Sequence, residues 1–220
     1  MLFRSTADDN NKISANRIEN FFEFILRRID LTRDVHFYTN TTIDTLDYSG
    51  TSLNLGSKVV FAAYGDIKRE LFIDVPYSLK NLQEFFNPKI GLPGVICISA
   101  PIFKTYSTAE RDIGILTQQL LPEIKNLHGI QMIILCDDSN FASDSLSNFL
   151  WVTFTRCNPA NDIYGIDSFY NFKHWGCNGP LVIDARIKPH HAPAVEKDIK
   201  IENKIERVFN KGGSLYGVIK

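Results

Sequence analysis

Apolar positions near the start of the chain recur every three or four residues. Ile18, Phe21, Phe22, Ile25 and Ile29 form a stripe, with Arg17, Glu19, Glu23, Arg27 and Arg28 between them. That spacing predicts an amphipathic helix over 14–31, with Ser14 as its N-cap and the stripe turned to a core. The pattern then becomes β-rich. Segments 35–39, 41–48, 58–64 and 70–75 read as strands of a meander, with turn chemistry at Tyr48-Ser49-Gly50 and Gly65-Asp66. From Gly91 the texture changes again. Val95-Ile96-Cys97-Ile98 is a nearly continuous apolar run, suited to a strand covered on both faces. Ser107-Thr108-Ala109-Glu110 fits a capping box, and Ile113, Leu116, Leu120 and Leu121 continue the helix until Pro122 ends or kinks it. Residues 130–136 predict a second buried strand, 146–154 a helix and 181–184 a short third strand. Strand, helix, strand, helix, strand predicts an α/β fold: a mixed sheet layered with helices, preceded by a helix and a β-meander. Residues 195–209 read as a charged helical tail, with Gly212-Gly213 marking its stop or a loop. Asn87-Pro88 interrupts the pattern, so the expected division is 1–88, a helix plus β-rich segment, and 89–220, an α/β domain with its tail.

Charge narrows the partners. The 220 residues carry 24 Lys+Arg against 25 Asp+Glu, a net charge of -1, which excludes nucleic-acid binding through bulk positive charge. With 44% apolar residues a chain of this length buries a core without staples. The four cysteines, Cys97, Cys136, Cys157 and Cys177, lie far apart and read as free thiols of a reducing compartment. The opening residues hold no apolar core of a signal peptide, and no apolar run approaches the ~18–20 residues of a membrane helix. The expectation is a soluble, cytoplasmic protein with no membrane span.

Three constellations could carry chemistry. Asp137 and Asp138 directly follow an apolar strand, where ligands of open α/β sheets gather, and two adjacent acids there could hold Mg²⁺. The plainer alternative is that Asp138 or a neighbour caps the next helix. His174, Cys177, His190 and His191 are possible zinc ligands, but their spacing fits neither usual pair. Cys97 and Cys136 sit mid-strand, where burial raises a thiol's pKa, whereas Cys157 and Cys177 stand in more open contexts. No phosphate loop, nucleophile elbow or dinucleotide fingerprint is present.

One succession of pieces is more specific. Ile133-Ile134-Leu135-Cys136-Asp137-Asp138 is followed by Phe149-Leu150-Trp151. Then come Thr155-Arg156-Cys157-Asn158-Pro159-Ala160-Asn161-Asp162 and Pro180-Leu181-Val182-Ile183-Asp184-Ala185-Arg186-Ile187-Lys188-Pro189. In order and spacing this resembles the C-terminal domain of UbiD-like carboxy-lyases, which include the polyprenyl-4-hydroxybenzoate decarboxylase of ubiquinone synthesis. The residues that carry the likeness are Asp137, Asp138, Trp151, Arg156, Pro159, Asp162 and Asp184. It covers roughly 89–192, and the first ninety residues show no counterpart. Family members commonly have an acid before the Pro and an Arg before the Asp, where this chain has Asn158 and Asn161.

The resemblance implies a non-oxidative decarboxylase of aromatic or α,β-unsaturated acids that uses prenylated flavin mononucleotide and a divalent metal. Both bind in an upstream domain of the same polypeptide, together with a catalytic Arg and a Glu-x₄-Glu pair that this chain lacks. The implied role is a C-terminal piece that builds a homo-oligomer and closes one side of the active site, with no catalytic, cofactor or metal residue of its own. The rival readings are an autonomous α/β ligand-binding domain using Asp137-Asp138, and an interaction module presenting Phe169, Tyr170, Phe172 and Trp175. Arg156, at a helix end, is expected to pair with Asp184 or Asp162 in a structural role.

Overall fold

The computed structural model describes residues 16–47, 49–50, 52–192 and 198–218. Helix α1 (Ile18–Arg28) leads into strand β1 (Val35–Thr42), which pairs antiparallel with β2 (Leu55–Phe61) across an irregularity between Tyr38 and Thr41. The five-stranded main sheet comprises β3 (Phe86–Leu92), β4 (Val95–Ser99), β5 (Met132–Cys136), β6 (Ile163–Gly165) and β9 (Leu181–Asp184). Its order is β3-β4-β5-β9-β6. The three central strands are parallel, and the edge strands β3 and β6 run antiparallel to their neighbours. A second ribbon pairs β7 (Ser168–Asn171) with β8 (His174–Cys177). Helices α2 (Tyr106–Leu120), α3 (Ser139–Asp144), α4 (Leu146–Thr155), α5 (Pro159–Asp162) and α6 (Ile199–Phe209) complete the chain. The mixed α/β class is as the pattern predicts.

Strand alternation divides the core into two layers. Val95, Cys97, Met132, Ile134, Leu181 and Ile183 face a layer closed by Phe22, Ile25 and Leu26 of α1, Val59 and Phe61 of β2, and Phe149 and Val152 of α4. Ile96, Ile98, Ile133, Leu135 and Val182 point the other way, onto Ile113, Leu116 and Leu120 of α2. Both faces of the central strands are covered, which is why those strands read as continuous apolar runs.

Several expectations change. The first helix ends at Arg28, and Arg17 stands at its N-cap without a side-chain cap bond; Ser14 and the start of the tail at 195–197 lie outside the described residues. Segments 35–39 and 41–48 are not separate strands up to Thr42, because β1 runs through the break between them as a bulge. Residues 70–75 form no strand; Phe72 instead hydrogen-bonds through its backbone to Gly129 and Gly94. Asn87-Pro88 lies within β3, where an edge position tolerates the missing donor of proline. The capping box sits two residues earlier than expected. Thr105 Oγ1 accepts from the Thr108 amide, and Thr108 Oγ1 accepts from the Thr105 amide. After α2 the chain tightens into a 3₁₀ stretch, Leu121–Leu127, with Pro122 at its start.

Candidate functional site

The carboxyl ends of β4, β5 and β9 come together, and the segments that leave them carry charge into the interior. Asp184, the last residue of β9, is followed at alternate positions by Arg186 and Lys188, all three buried. Arg186 donates through Nε and Nη2 to both Asp184 oxygens at 2.9 and 2.7 Å. Its Nη1 reaches Asp112 Oδ2 on α2 at 2.8 Å and the Pro101 carbonyl at 2.7 Å. Burial opposes this guanidinium's charge, but the bonds to Asp184 and Asp112 outweigh it and raise the pKa. Lys188 Nζ donates to the carbonyls of Asp184 at 2.8 Å and Arg156 at 3.0 Å and lies 3.4 Å from Asp162 Oδ1. Burial pushes the Asp162 carboxyl up to about 7 despite the pull of Lys188. Its other oxygen accepts from the Asn158 amide at 2.6 Å.

Each residue singled out in the sequence has a place around this network. Asp137 Oδ2 accepts from Arg156 Nη1 at 3.1 Å and from the Ile187 amide at 2.9 Å, fastening the segment after β9. Asp138 is the N-cap of α3 and accepts from the amides of Asn140 and Phe141, the plainer of the two roles considered. Trp151 is half-exposed, and the Arg156 guanidinium lies 4.8 Å above its ring. Pro159 opens α5 at the position where its missing amide hydrogen costs nothing. Arg156 is therefore paired with Asp137, not with Asp162 or Asp184. Those two carboxylates are already engaged by Lys188 and Arg186, which the motif alone does not reveal. Sequence reasoning misses Asp112, and it quotes Arg186 and Lys188 within the motif without giving them a role. A signal exists for two of them, since Asp184, Arg186 and Lys188 share one face of an extended segment at period two.

The other candidates separate. His174 Nε2 lies 3.1 Å from the Thr32 carbonyl, Cys177 Sγ donates to the Gly179 carbonyl, and His191 Nδ1 accepts from the Lys188 amide. Burial, then Lys188, pushes His191 down to about 4. All four cysteines are free and buried, including Cys157 and Cys177, which their sequence context places in the open. Burial pushes the Cys136 and Cys177 thiols up to about 12.

The motif leans on the N-terminal segment of the chain. The buried Ser57 hydroxyl of β2 donates to Asn158 Oδ1 and accepts from the Ala160 amide, so a strand before residue 88 supports the turn that carries Pro159 and Asp162. Similarity to known proteins agrees with that dependence. The family model described as the 3-octaprenyl-4-hydroxybenzoate carboxy-lyase C-terminal domain matches residues 7–63, which corrects the expectation that the first ninety residues have no counterpart in that family. A 4-hydroxybenzoate decarboxylase subunit of Chlamydia pneumoniae is 33% identical over 196 residues, 89% of this chain and 31% of that protein. The chain is a UbiD-like C-terminal region. A protein of Chlamydia trachomatis serovar D is 31% identical over 192 residues, again covering 31% of its length. The UbiD-like region thus spans about a third of the curated relatives it matches. The vanillic acid decarboxylase of Sedimentibacter hydroxybenzoicus, in its open form, aligns over 79% of this chain and 45% of its own at 15% identity. The TM-score of 0.35 is too low to establish a shared fold.

The described residues at these strand ends do not by themselves fit a flavin phosphate or a metal. The cations at the strand ends already face carboxylates, and among the described residues no group of three His, Cys, Asp or Glu converges. No helix of the described residues is long and apolar enough to cross a membrane.

Proposed function

We propose that this chain serves as the C-terminal region of a non-oxidative decarboxylase of aromatic or α,β-unsaturated acids. In this reading prenylated flavin mononucleotide and a divalent metal bind in an upstream domain of the same polypeptide, while these residues build a homo-oligomer and close one side of the active site in the cytoplasm. The observation that carries the reading is the 33% identity over 89% of the chain to a decarboxylase subunit, of which the match covers only 31%. Two features support the division of labour. The network is buried and each of its two cations is already held by a carboxylate, which suits a rigid frame better than a site open to a substrate. Helix α6 leaves Ile199, Ile201 and Ile205 exposed, apolar surface of the kind that a further copy would cover.

A chimera tests the proposal. The 220 residues replace the matching stretch of the Chlamydia pneumoniae protein, and the product is expressed together with a flavin-prenylating enzyme. CO₂ release from 4-hydroxybenzoate is then measured beside the unaltered relative and the 220-residue chain alone. Release by the chimera and none by the chain alone is expected. A folded, flavin-loaded chimera without activity would overturn the proposal, as would decarboxylation by the chain alone.

A further inference from the structure

Away from the strand ends, a cleft of about 330 Å³ opens between β1 and the β7–β8 hairpin. Its base is apolar, formed by the buried Val35 and Ile163. Phe37 and Trp175 line it edge to face, with ring centroids 5.2 Å apart and planes at 87°. Lys173 and His36 stand at its border, and the described residues that line it include no carboxylate. Its volume lies at the lower end of the range for small-molecule sites, enough for one or two fused rings.

A second observation concerns the hairpin turn. Phe172 and Lys173 adopt φ of +47° and +66°, left-handed values that a two-residue turn normally gives to Asn-Gly. Phe172 gains no packing there, being 98% exposed. Side chains in this conformation are strained, and strain of this kind concentrates where a side chain has to be aimed. Here the turn places Lys173 on the border of the cleft.

We infer that this cleft binds a small aryl anion, its flat apolar body against Phe37 and Trp175 and its anionic group on Lys173. Aromatic walls reward a planar ligand, and a single ammonium with no competing carboxylate selects negative charge. The site does not depend on the decarboxylase reading, since none of its residues belongs to the strand-end network.

Calorimetric titration of the 220-residue chain with 2-naphthalenesulfonate, against neutral 2-naphthalenemethanol, tests the inference. Saturable one-to-one binding below about 1 mM is expected for the anion. Lys173→Gln keeps a non-glycine residue at the same exposed turn and should weaken the anion about tenfold while leaving the neutral compound unchanged. In a Trp151→Phe variant the remaining indole, Trp175, should be quenched with the same midpoint. If that variant does not fold, ring-current shifts of Trp175 in the wild-type chain give the same readout. Non-saturating heat, equal affinity for the neutral compound, an unchanged constant in Lys173→Gln, or a silent Trp175 would each overturn it.

Discussion

Asp162 meets Lys188 at its ammonium and His191 meets it at its backbone amide, and the two respond to their surroundings with opposite signs. For Asp162 the folded pKa, about 7, stands above the ordinary carboxylate value. Between about pH 4 and 7 the folded chain holds a proton that the unfolded chain has lost, so this group's contribution falls as pH rises. His191, pushed down to about 4, is neutral in the fold while it is still charged in the unfolded chain up to about 6.5, so its contribution rises over much the same window. In the wild type the two largely cancel. Asp162→Asn removes only the first, so its stability relative to wild type should increase by about 2–4 kcal/mol between about pH 4.5 and 7, read from urea unfolding at both pH values. A stability difference that stays constant with pH would refute the raised carboxyl. At the same scale, a double-mutant cycle on Arg156 and Asp137 should give a coupling of about 0.5–1 kcal/mol, and one on Arg156 and Asp162 about zero. The motif residues were legible in the sequence, but their partners were not. An ion pair is a fact of three dimensions, and three acids, Asp137, Asp162 and Asp184, stand equally open to Arg156 in one.

At the scale of elements, legibility followed burial. Strand β9 falls on the expected residues and α4 within one of them, because apolar runs flanked by turns leave a short segment little choice. The ribbons β1–β2 and β7–β8 are half-exposed, and there the alternation is too weak to set boundaries or register. The start of α2 shows how one cap hides behind another. Ser107 with Glu110 satisfies the capping-box pattern on paper, yet Thr105 with Thr108 makes both reciprocal bonds. A hydroxyl at the fourth position substitutes for the usual carboxylate, so a search for Glu or Gln passes over it. Thr105→Ala should therefore cost about 1 kcal/mol, whereas Ser107→Ala, inside the first turn, should stay within about 0.5 kcal/mol. Chemical denaturation of the two variants checks this, and equal losses would restore the other cap.

For the whole molecule, the question is whether residue 88 divides it. Layering argues that it does not. The face of the sheet that carries Cys97 and Ile134 is covered by α1 and β2, and the opposite face also takes Leu79, Leu82 and Phe85 from before the expected boundary. A span of roughly 130 residues is long enough for a domain by size alone, which is why the division looks sound in one dimension. Without the N-terminal segment, however, Phe22, Ile25, Leu26, Val59 and Phe61 no longer shield the strands, and Ser57 no longer holds the Asn158 turn. The four buried thiols report on this directly, since each lies in the layer that α1 and β2 close. In the full chain no thiol should react with an aromatic disulfide reagent under native conditions, and four should react after unfolding without reductant, because burial both hides the thiol and holds it protonated. A fragment covering 86–220 should instead react at several thiols at once and unfold without a cooperative transition. Protected thiols and a sharp urea transition in that fragment would show that residues 86–220 fold alone, and the core would then have to be described as two.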